Sequence, residues 1–290
     1  MRPHFLVIGG QKCGTSWLQD NLSQHPQVWL PPIKEIHYFD QGNVEFHVRL
    51  LGTSKRMRKA RLYAAKQFRA WLSGDTHELW WAINYWLAYR DDNWYRGLFP
   101  DRPDTITGEI CPGYARLPEP AVAKVKSFVP SARIVYLLRN PIERSWSYAA
   151  QYFTSPRKKG RYGRLANVPP DVLHSFLERD AQGHSNYLGA LDAWQRHFGD
   201  QLLVGYFDEL KSDPELLFRR VIRFLNIKDS QGWLPSGLCE NRHPSRDAQM
   251  PHEYRSYLAK LHLPSLKELH SRLGSKETEE WLAKASAAQH

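Results

Sequence analysis

The stretch HFLVIGGQKCGTSWL, residues 4–18, decides the fold that the sequence predicts. Its first part, residues 4–9, is a short apolar run of the kind that forms a buried parallel strand. Gly9 ends this run, Gly10 and Gly14 follow it, and the next residues carry apolar side chains at helical spacing. In a glycine loop that leads from a strand into a helix, backbone N–H groups and the helix N-terminus favour a bound anion such as phosphate. We therefore expect an anion site here, with Thr15 and Ser16 capping the helix.

The position of the lysine separates this loop from the loop of P-loop NTPases, in which a lysine directly follows the second glycine. Here Thr15 follows Gly14, and Lys12 lies two residues before that glycine. The NTPases also need an aspartate after a second strand to help hold Mg²⁺. In this chain the apolar run at 133–138 is followed by Arg139 instead. The residues predict a site for a phosphorylated nucleotide that binds without a metal.

Strand-like runs alternate with amphipathic helical runs along most of the chain. The strand-like runs lie at residues 4–9, 28–30, 105–109, 133–138 and 202–207, and the helical runs include 55–90, 118–128 and the stretch from 252. This alternation predicts an α/β fold with a parallel β-sheet flanked by helices. Because no repeat or linker-like segment interrupts it, we expect a single domain over residues 1–290.

Composition and charge narrow the class of protein. The chain has 290 residues, of which 42% are hydrophobic and 24% charged, as in globular proteins. The formal net charge of +10 indicates an anionic partner or a generally basic surface. The three cysteines show neither a disulfide framework nor metal-ligand spacing. No signal-peptide pattern is seen, and no apolar run approaches the ~20 residues of a membrane span. We expect a cytoplasmic enzyme with no metal and no membrane partner.

Two segments resemble the sulfotransferases that use 3′-phosphoadenosine 5′-phosphosulfate (PAPS). Residues 5–26, FLVIGGQKCGTSWLQDNLSQHP, are similar to the 5′-phosphosulfate loop of that family. Residues 133–153, RIVYLLRNPIERSWSYAAQYF, resemble its 3′-phosphate segment, in which Arg139 and Ser147 are eight residues apart. The resemblance implies a P-loop nucleotide-kinase-like sulfotransferase fold. It also implies PAPS as the sulfuryl donor and 3′,5′-adenosine bisphosphate (PAP) as the product, with no metal.

The same resemblance implies which residues bind the donor. Lys12 would contact the bridging oxygen and the 5′-phosphate, and Arg139 with Ser147 would hold the 3′-phosphate. Arg242, within CENRHPSRD at 239–247, matches an arginine of a loop that reaches the same nucleotide. The implied donor-binding set is Lys12, Cys13, Gly14, Thr15, Ser16, Trp17, Arg139, Ser147 and Arg242.

The motif KEIHYFD, residues 34–40, is similar to the acceptor-side motif of the glycan and bacterial branches of the family. In an extended segment, Glu35 and His37 project on the same face, and either could be the general base. A histidine has a pKa near neutrality, whereas a glutamate needs burial to reach it. The acceptor would be a small molecule or a glycan that offers a hydroxyl or an amine. TGEICPGY, residues 107–114, resembles the segment that lines the acceptor pocket, and its Glu109 is either catalytic or structural.

Two other function classes fit parts of the sequence. A P-loop kinase of nucleotides or small molecules would need a lysine after Gly14 and a metal-binding aspartate, and the sequence has neither at these positions. A basic nucleic-acid-binding module would fit the net charge, but no motif supports it, so we expect no nucleic-acid partner. The tryptophan-rich run at 80–86 either lines the acceptor site or belongs to the core.

Overall fold

The computed structural model describes residues 2–40, 77–154, 162–228, 232–240 and 249–288. Within these ranges the strands are β1 (Phe5–Gly9), β2 (Val28–Trp29), β3 (Ile106–Ile110), β4 (Arg133–Leu138) and β5 (Leu202–Tyr206). The α-helices are α1 (Thr15–Leu22), α2 (His77–Leu87), α3 (Asp92–Gly97), α4 (Glu119–Phe128), α5 (Pro141–Thr154), α6 (Pro170–Gln182), α7 (Tyr187–Phe198), α8 (Phe207–Ser212), α9 (Pro214–Phe224), α10 (His252–Leu273) and α11 (Lys276–Ala287). Short 3₁₀ helices lie at Pro112–Arg116, Leu165–Asn167 and Gly199–Gln201.

The five strands form one sheet in the order β2-β3-β1-β4-β5, and every neighbouring pair is parallel. From β1 the chain moves to β2 and β3 on one side, and it later returns to β4 on the other side. The strand order therefore reverses between β1 and β4, where open α/β sheets bind their ligands beside the carboxyl ends of the strands. The prediction of an α/β fold with a parallel sheet is confirmed.

The sheet is buried on both faces, which explains why its strands read as continuous apolar runs. Leu6 and Ile8 belong to a core with α4, α5, α7 and α10, whereas Phe5 and Val7 belong to a second core with α1 and α9. At the beginning of α9, the Asp213 side chain accepts a hydrogen bond from the Leu216 N–H and proline occupies the first helical position, as is common at helix N-termini. In the described part of the chain, no helix is both long enough and apolar enough to cross a membrane.

The single domain expected over 1–290 stays a prediction, because this interval contains residues outside the described ranges. Most of the helical run predicted at 55–90 lies outside them as well. Its end forms α2, and the Trp81 side chain is buried there and donates to the Leu98 carbonyl oxygen. These contacts favour the interpretation of Trp81 as a core residue.

Candidate active site

The loop between β1 and α1 provides backbone donors at the carboxyl end of the central strand. Gly14 is the N-cap of α1 and has a left-handed backbone, with φ of 91°. This conformation favours glycine, and a Cβ atom here would also lie 2.9 Å from Leu210 Cδ2, so the leucine side chain would have to shift. The prediction that Thr15 and Ser16 cap the helix is wrong, because α1 begins at Thr15 itself and has no side-chain cap. Its N-terminal N–H groups are left for another partner.

Lys12 and Arg139 come together where β1 and β4 end. Arg139 Nη1 donates to the Lys12 carbonyl oxygen at 3.3 Å, and the Arg139 carbonyl oxygen accepts from Tyr187 Oη at 2.8 Å. Burial and the neighbouring Arg139 charge lower the pKa of Lys12. Arg139 Nε is buried and has no hydrogen-bond partner among the described residues. This side of the site is positively charged and keeps an unused donor.

Ser147 lies on α5, which begins at Pro141. The residue is 4% exposed and shares a cavity with Arg139. The eight-residue spacing therefore brings an arginine at the end of a strand and a serine two helical turns onward to one place.

A buried polar cluster fixes the helix that carries this serine. Arg144 of α5 pairs with Asp180 of α6, and its Nε donates to Ser185 Oγ at 2.9 Å. Ser145 Oγ donates to Asp180 and lies 3.4 Å from Nε2 of His262 on α10. Burial, aided by the Arg144 charge, lowers the pKa of His262 to about 3, so this ring stays neutral. The cluster joins three helices beneath the site.

A cavity of about 540 Å³ connects these elements. Its lining includes the side chains or backbone of Lys12, Gly14, Thr15, Ser16, Trp17, Arg139, Ser147 and Glu35. Cys13 is an exception in the loop, since its thiol is fully buried, lies 3.9 Å from Tyr187 Oη and does not line the cavity. Burial raises the pKa of this thiol to about 11. Arg242 lies outside the described residues.

The segment of the motif KEIHYFD is not extended, which corrects the prediction. Glu35 and His37 have φ of 61° and 59°, in the left-handed region that non-glycine residues rarely adopt. Ile36, which lies between them, donates its N–H to Glu109 Oε1 at 3.0 Å. Tyr38, which follows His37, donates its N–H to Tyr114 Oη at 2.9 Å. These two bonds on either side of His37 hold the backbone in this conformation.

Glu109 is therefore structural in this arrangement. It is 1% exposed and accepts hydrogen bonds from the Tyr95 and Tyr114 hydroxyls in addition to the Ile36 N–H. Burial raises its pKa to about 7. Its carboxyl group is absent from the cavity lining, so it positions the acceptor-side segment without touching the cavity.

His37 lies between two carboxylates. Its Nδ1 is 2.7 Å from Asp40 Oδ2, and its Nε2 is 3.6 Å from Glu35 Oε2. The bond to Asp40, followed by those to Cys111 and Glu35, raises the pKa of His37 to about 12, which makes the ring an imidazolium at neutral pH. A Cβ at Gly113 would lie 2.3 Å from Asp40 Oδ2, so this glycine leaves room for the pair.

Atoms of His37, Asp40 and Cys111 that can bind metals lie within 4.8 Å of one another. The 2.7 Å hydrogen bond between His37 and Asp40 already accounts for the placement of two of these side chains. The expectation of a metal-free site stays a prediction.

Several cavity residues were not predicted from the sequence. Phe207 and Lys211 on α8 line the cavity, and Arg139 stacks over the Phe207 ring at 4.5 Å. Lys34 Nζ donates to Ser16 Oγ at 3.0 Å and joins the two sides of the site. The sequence could have identified Phe207 as a cavity residue, because Phe207 directly follows the strand-like run of β5. The carboxyl ends of parallel strands meet at one edge of the sheet, where ligands bind.

Comparison with known proteins gives a family. The model described as "Sulfotransferase family" matches residues 3–231. "Carbohydrate sulfotransferase 15" of Rattus norvegicus is 27% identical over 266 residues, covering 78% of this chain and 44% of that protein. "Heparan sulfate glucosamine 3-O-sulfotransferase 6" of Mus musculus is 30% identical over 141 residues, covering 47% of this chain and 40% of the relative. The chain thus spans less than half the length of these relatives.

Solved structures agree with the fold. The sulfotransferase from Alicyclobacillus acidocaldarius aligns with a TM-score of 0.61 and 20% identity, covering 97% of this chain and 99% of that one. The sulfotransferase domain from the curacin biosynthetic pathway aligns with a TM-score of 0.52 and 13% identity, covering 88% of this chain and 82% of that domain's chain.

Proposed function

Because this chain belongs to the sulfotransferase family, we propose that it transfers a sulfuryl group from PAPS to an acceptor hydroxyl or amine and releases PAP. The observation that supports this most is the single cavity that contains Lys12, Arg139 and Ser147 together with Glu35. A donor nucleotide and an acceptor can therefore meet in one cavity. When bound, PAPS supplies the sulfuryl group and a phosphate leaving group.

The nucleotide side fits an anion with phosphate groups at both ends of a nucleoside. The uncapped N-terminus of α1 and the Lys12 ammonium suit the 5′-phosphosulfate. The unused Arg139 Nε and the Ser147 hydroxyl suit the 3′-phosphate, since guanidinium groups bind phosphate with directed hydrogen bonds.

Lys12 acts on the leaving group in this proposal. Negative charge builds on the 5′-phosphate as its bond to sulfur breaks, and a fixed ammonium with the loop N–H groups stabilises that charge. The lowered pKa of Lys12, caused by burial and by Arg139, means that the ammonium is poorly solvated and interacts strongly with an anion.

Of the two candidates, Glu35 and His37, Glu35 is the general base in this proposal. It lines the cavity, whereas His37 lies behind it and is already protonated at neutral pH. The acceptor O–H or N–H proton therefore goes to the Glu35 carboxylate as the acceptor atom attacks sulfur. His37 keeps that carboxylate in position through Nε2, and Asp40 holds the ring from Nδ1.

The acceptor is proposed as a small molecule or a glycan. The support comes from relatives whose names specify carbohydrate and heparan sulfate acceptors. We propose no nucleic-acid partner for the same cavity.

Thermal unfolding with three ligands tests the proposal. We expect PAP to raise Tm without Mg²⁺, and ATP with Mg²⁺ or an oligonucleotide to have a much smaller effect. Incubation with PAPS and a metabolite extract should then yield a product heavier by one sulfate. Stabilisation by ATP with Mg²⁺ alone would favour a kinase, and stabilisation by the oligonucleotide alone would favour a nucleic-acid-binding module.

A further inference from the structure

Lys211 on α8 lines the same cavity as Arg139, and no sequence motif pointed to it. We propose that Lys211 is the second cation of the 3′-phosphate site and that it makes the protein select nucleotides that carry a 3′-phosphate. This inference rests on the proposed function, because it assumes that the cavity binds PAPS and PAP.

The two cations are arranged around one carboxylate oxygen. Arg139 Nη2 and Lys211 Nζ each lie 3.5 Å from Glu143 Oε2. They can therefore be no farther apart than twice that distance, which a single phosphate group can span through two of its oxygens. Both cations also lie over the Phe207 ring, at 4.5 Å for Arg139 and 5.2 Å for Lys211. A phosphate held by Arg139 would be within reach of Lys211.

The charge balance shows why a second cation is needed. Burial acts to raise the pKa of Glu143, but the charges of Lys211 and Arg139 outweigh it and lower the pKa, so the carboxylate is ionised. Without Lys211, Glu143 would cancel the charge of Arg139, and a dianionic phosphate would meet a neutral pair. With Lys211 the three groups carry a net charge of one positive unit, which favours an anion.

The exposure of the Lys211 side chain allows it to move from Glu143 to a bound phosphate. Its side chain is 53% exposed, whereas that of Arg139 is 15% exposed. An ion pair at such a surface position contributes little stability, so a phosphate can take the lysine from Glu143 at small cost. Arg139 is held by its other contacts and provides the fixed half of the site.

Binding of two nucleotides tests the assignment. PAP and adenosine 5′-phosphate differ only in the 3′-phosphate, and their Kd values can be measured by calorimetry for the wild type and Lys211→Gln. We expect the variant to bind PAP about tenfold more weakly and adenosine 5′-phosphate almost unchanged. Lys211→Arg should keep most of the PAP affinity. Lys276→Gln is a matched control, because this lysine is 83% exposed and does not line the cavity.

A double substitution tests the charge balance itself. Glu143→Gln removes the carboxylate that competes with the phosphate for both cations, so this variant alone should bind PAP more tightly, and Lys211→Gln added to it should still weaken PAP binding. Equal weakening of both nucleotides by Lys211→Gln, or no weakening of PAP, would overturn the assignment while leaving the proposed function intact. Failure of the wild type to bind PAP would overturn both.

Discussion

The two sides of the cavity are built in different ways. On the nucleotide side, the Lys12 loop and Arg139 directly follow neighbouring parallel strands, so the order of the chain brings them to one edge of the sheet. On the acceptor side, Glu35 and His37 lie in an irregular segment with positive φ angles. That segment is held by Glu109, whose carboxyl group accepts a hydrogen bond from the Ile36 N–H. The two residues are 73 positions apart in the chain. The placement of Lys12 and Arg139 therefore depends on local chain geometry, whereas the placement of Glu35, the proposed base, depends on a distant buried carboxyl group.

The largest effect that separates the two sides is expected for Lys12→Ala. If Lys12 stabilises charge on the leaving phosphate, kcat should fall about 100-fold or more, because this contact strengthens in the transition state. The Kd of PAP should change by a smaller factor, since Arg139, Ser147 and the loop N–H groups remain. Steady-state kinetics with PAPS and calorimetry with PAP measure the two quantities.

Lys228→Ala is the control for loss of a surface lysine, since Lys228 lines a different cavity beside Asn226 and His4. It should leave kcat near the wild-type value. A kcat for Lys12→Ala that equals the wild-type value would remove this lysine from the transition state.

The proximity of Lys12, Arg139 and Ser147 could be predicted from the sequence because short-range patterns determine it. A strand, a glycine loop and a helix are adjacent in the chain, and the spacing between Arg139 and Ser147 needs only a helix that starts at Pro141. The prediction of the helix cap was wrong for a local reason. Gly14 takes the N-cap position, so Thr15 lies inside the helix. Lys211 was missed because its role depends on Glu143, and their distance in space cannot be read from spacing along the chain.

On the proposed acceptor side, the predicted conformation was wrong, and the roles of the residues stay a prediction. KEIHYFD identifies Glu35 and His37, and the expectation of an extended backbone failed because Glu109 and Tyr114 bind the N–H groups of Ile36 and Tyr38. No local propensity predicts left-handed φ angles for a glutamate and a histidine, since such angles persist only when surrounding contacts impose them.

The next largest effects on kcat and on PAP binding should come from removing one buried hydrogen bond on each side of the cavity. In Glu109→Gln the amide offers one acceptor oxygen where the carboxylate offered two, so at least one buried donor loses its acceptor. Residues 35–38 should then lose their fixed position, and kcat should fall about tenfold with little change in the Kd of PAP.

Tyr187→Phe is the matched change on the nucleotide side, because it removes the hydrogen bond to the Arg139 carbonyl oxygen. It should raise the Kd of PAP by about threefold to tenfold and leave the KM of the acceptor nearly unchanged. If both variants altered the same parameter, the two sides would not be separately positioned.

The smallest effect concerns the protonation of His37 and appears in the pH profile. The bond to Asp40 is the largest cause of the raised pKa, which is about 12, so the wild-type ring keeps its proton throughout the neutral range and loses it only at strongly basic pH. In Asp40→Asn this cause is gone, and the pKa of His37 should fall toward the ordinary value of about 6.5, while the bonds to Cys111 and Glu35 still act to raise it. The ring would then become neutral as pH rises through this lowered pKa, and it would no longer hold the Glu35 carboxylate by charge.

For Asp40→Asn we therefore expect kcat to fall about threefold between pH 6 and 8, whereas the wild type shows no histidine step in that interval. NMR titration of the His37 ring measures the same change independently of turnover. Asp192→Asn, which removes an ion pair with Arg272, is a control that should leave the profile unchanged. A titration of the wild-type His37 ring near pH 6.5, seen by NMR, would mean that His37 is neutral when the enzyme works, and the base would then be His37, with Glu35 as its partner. A step in the kcat profile alone does not identify His37, because burial raises the pKa of Glu109 to about 7.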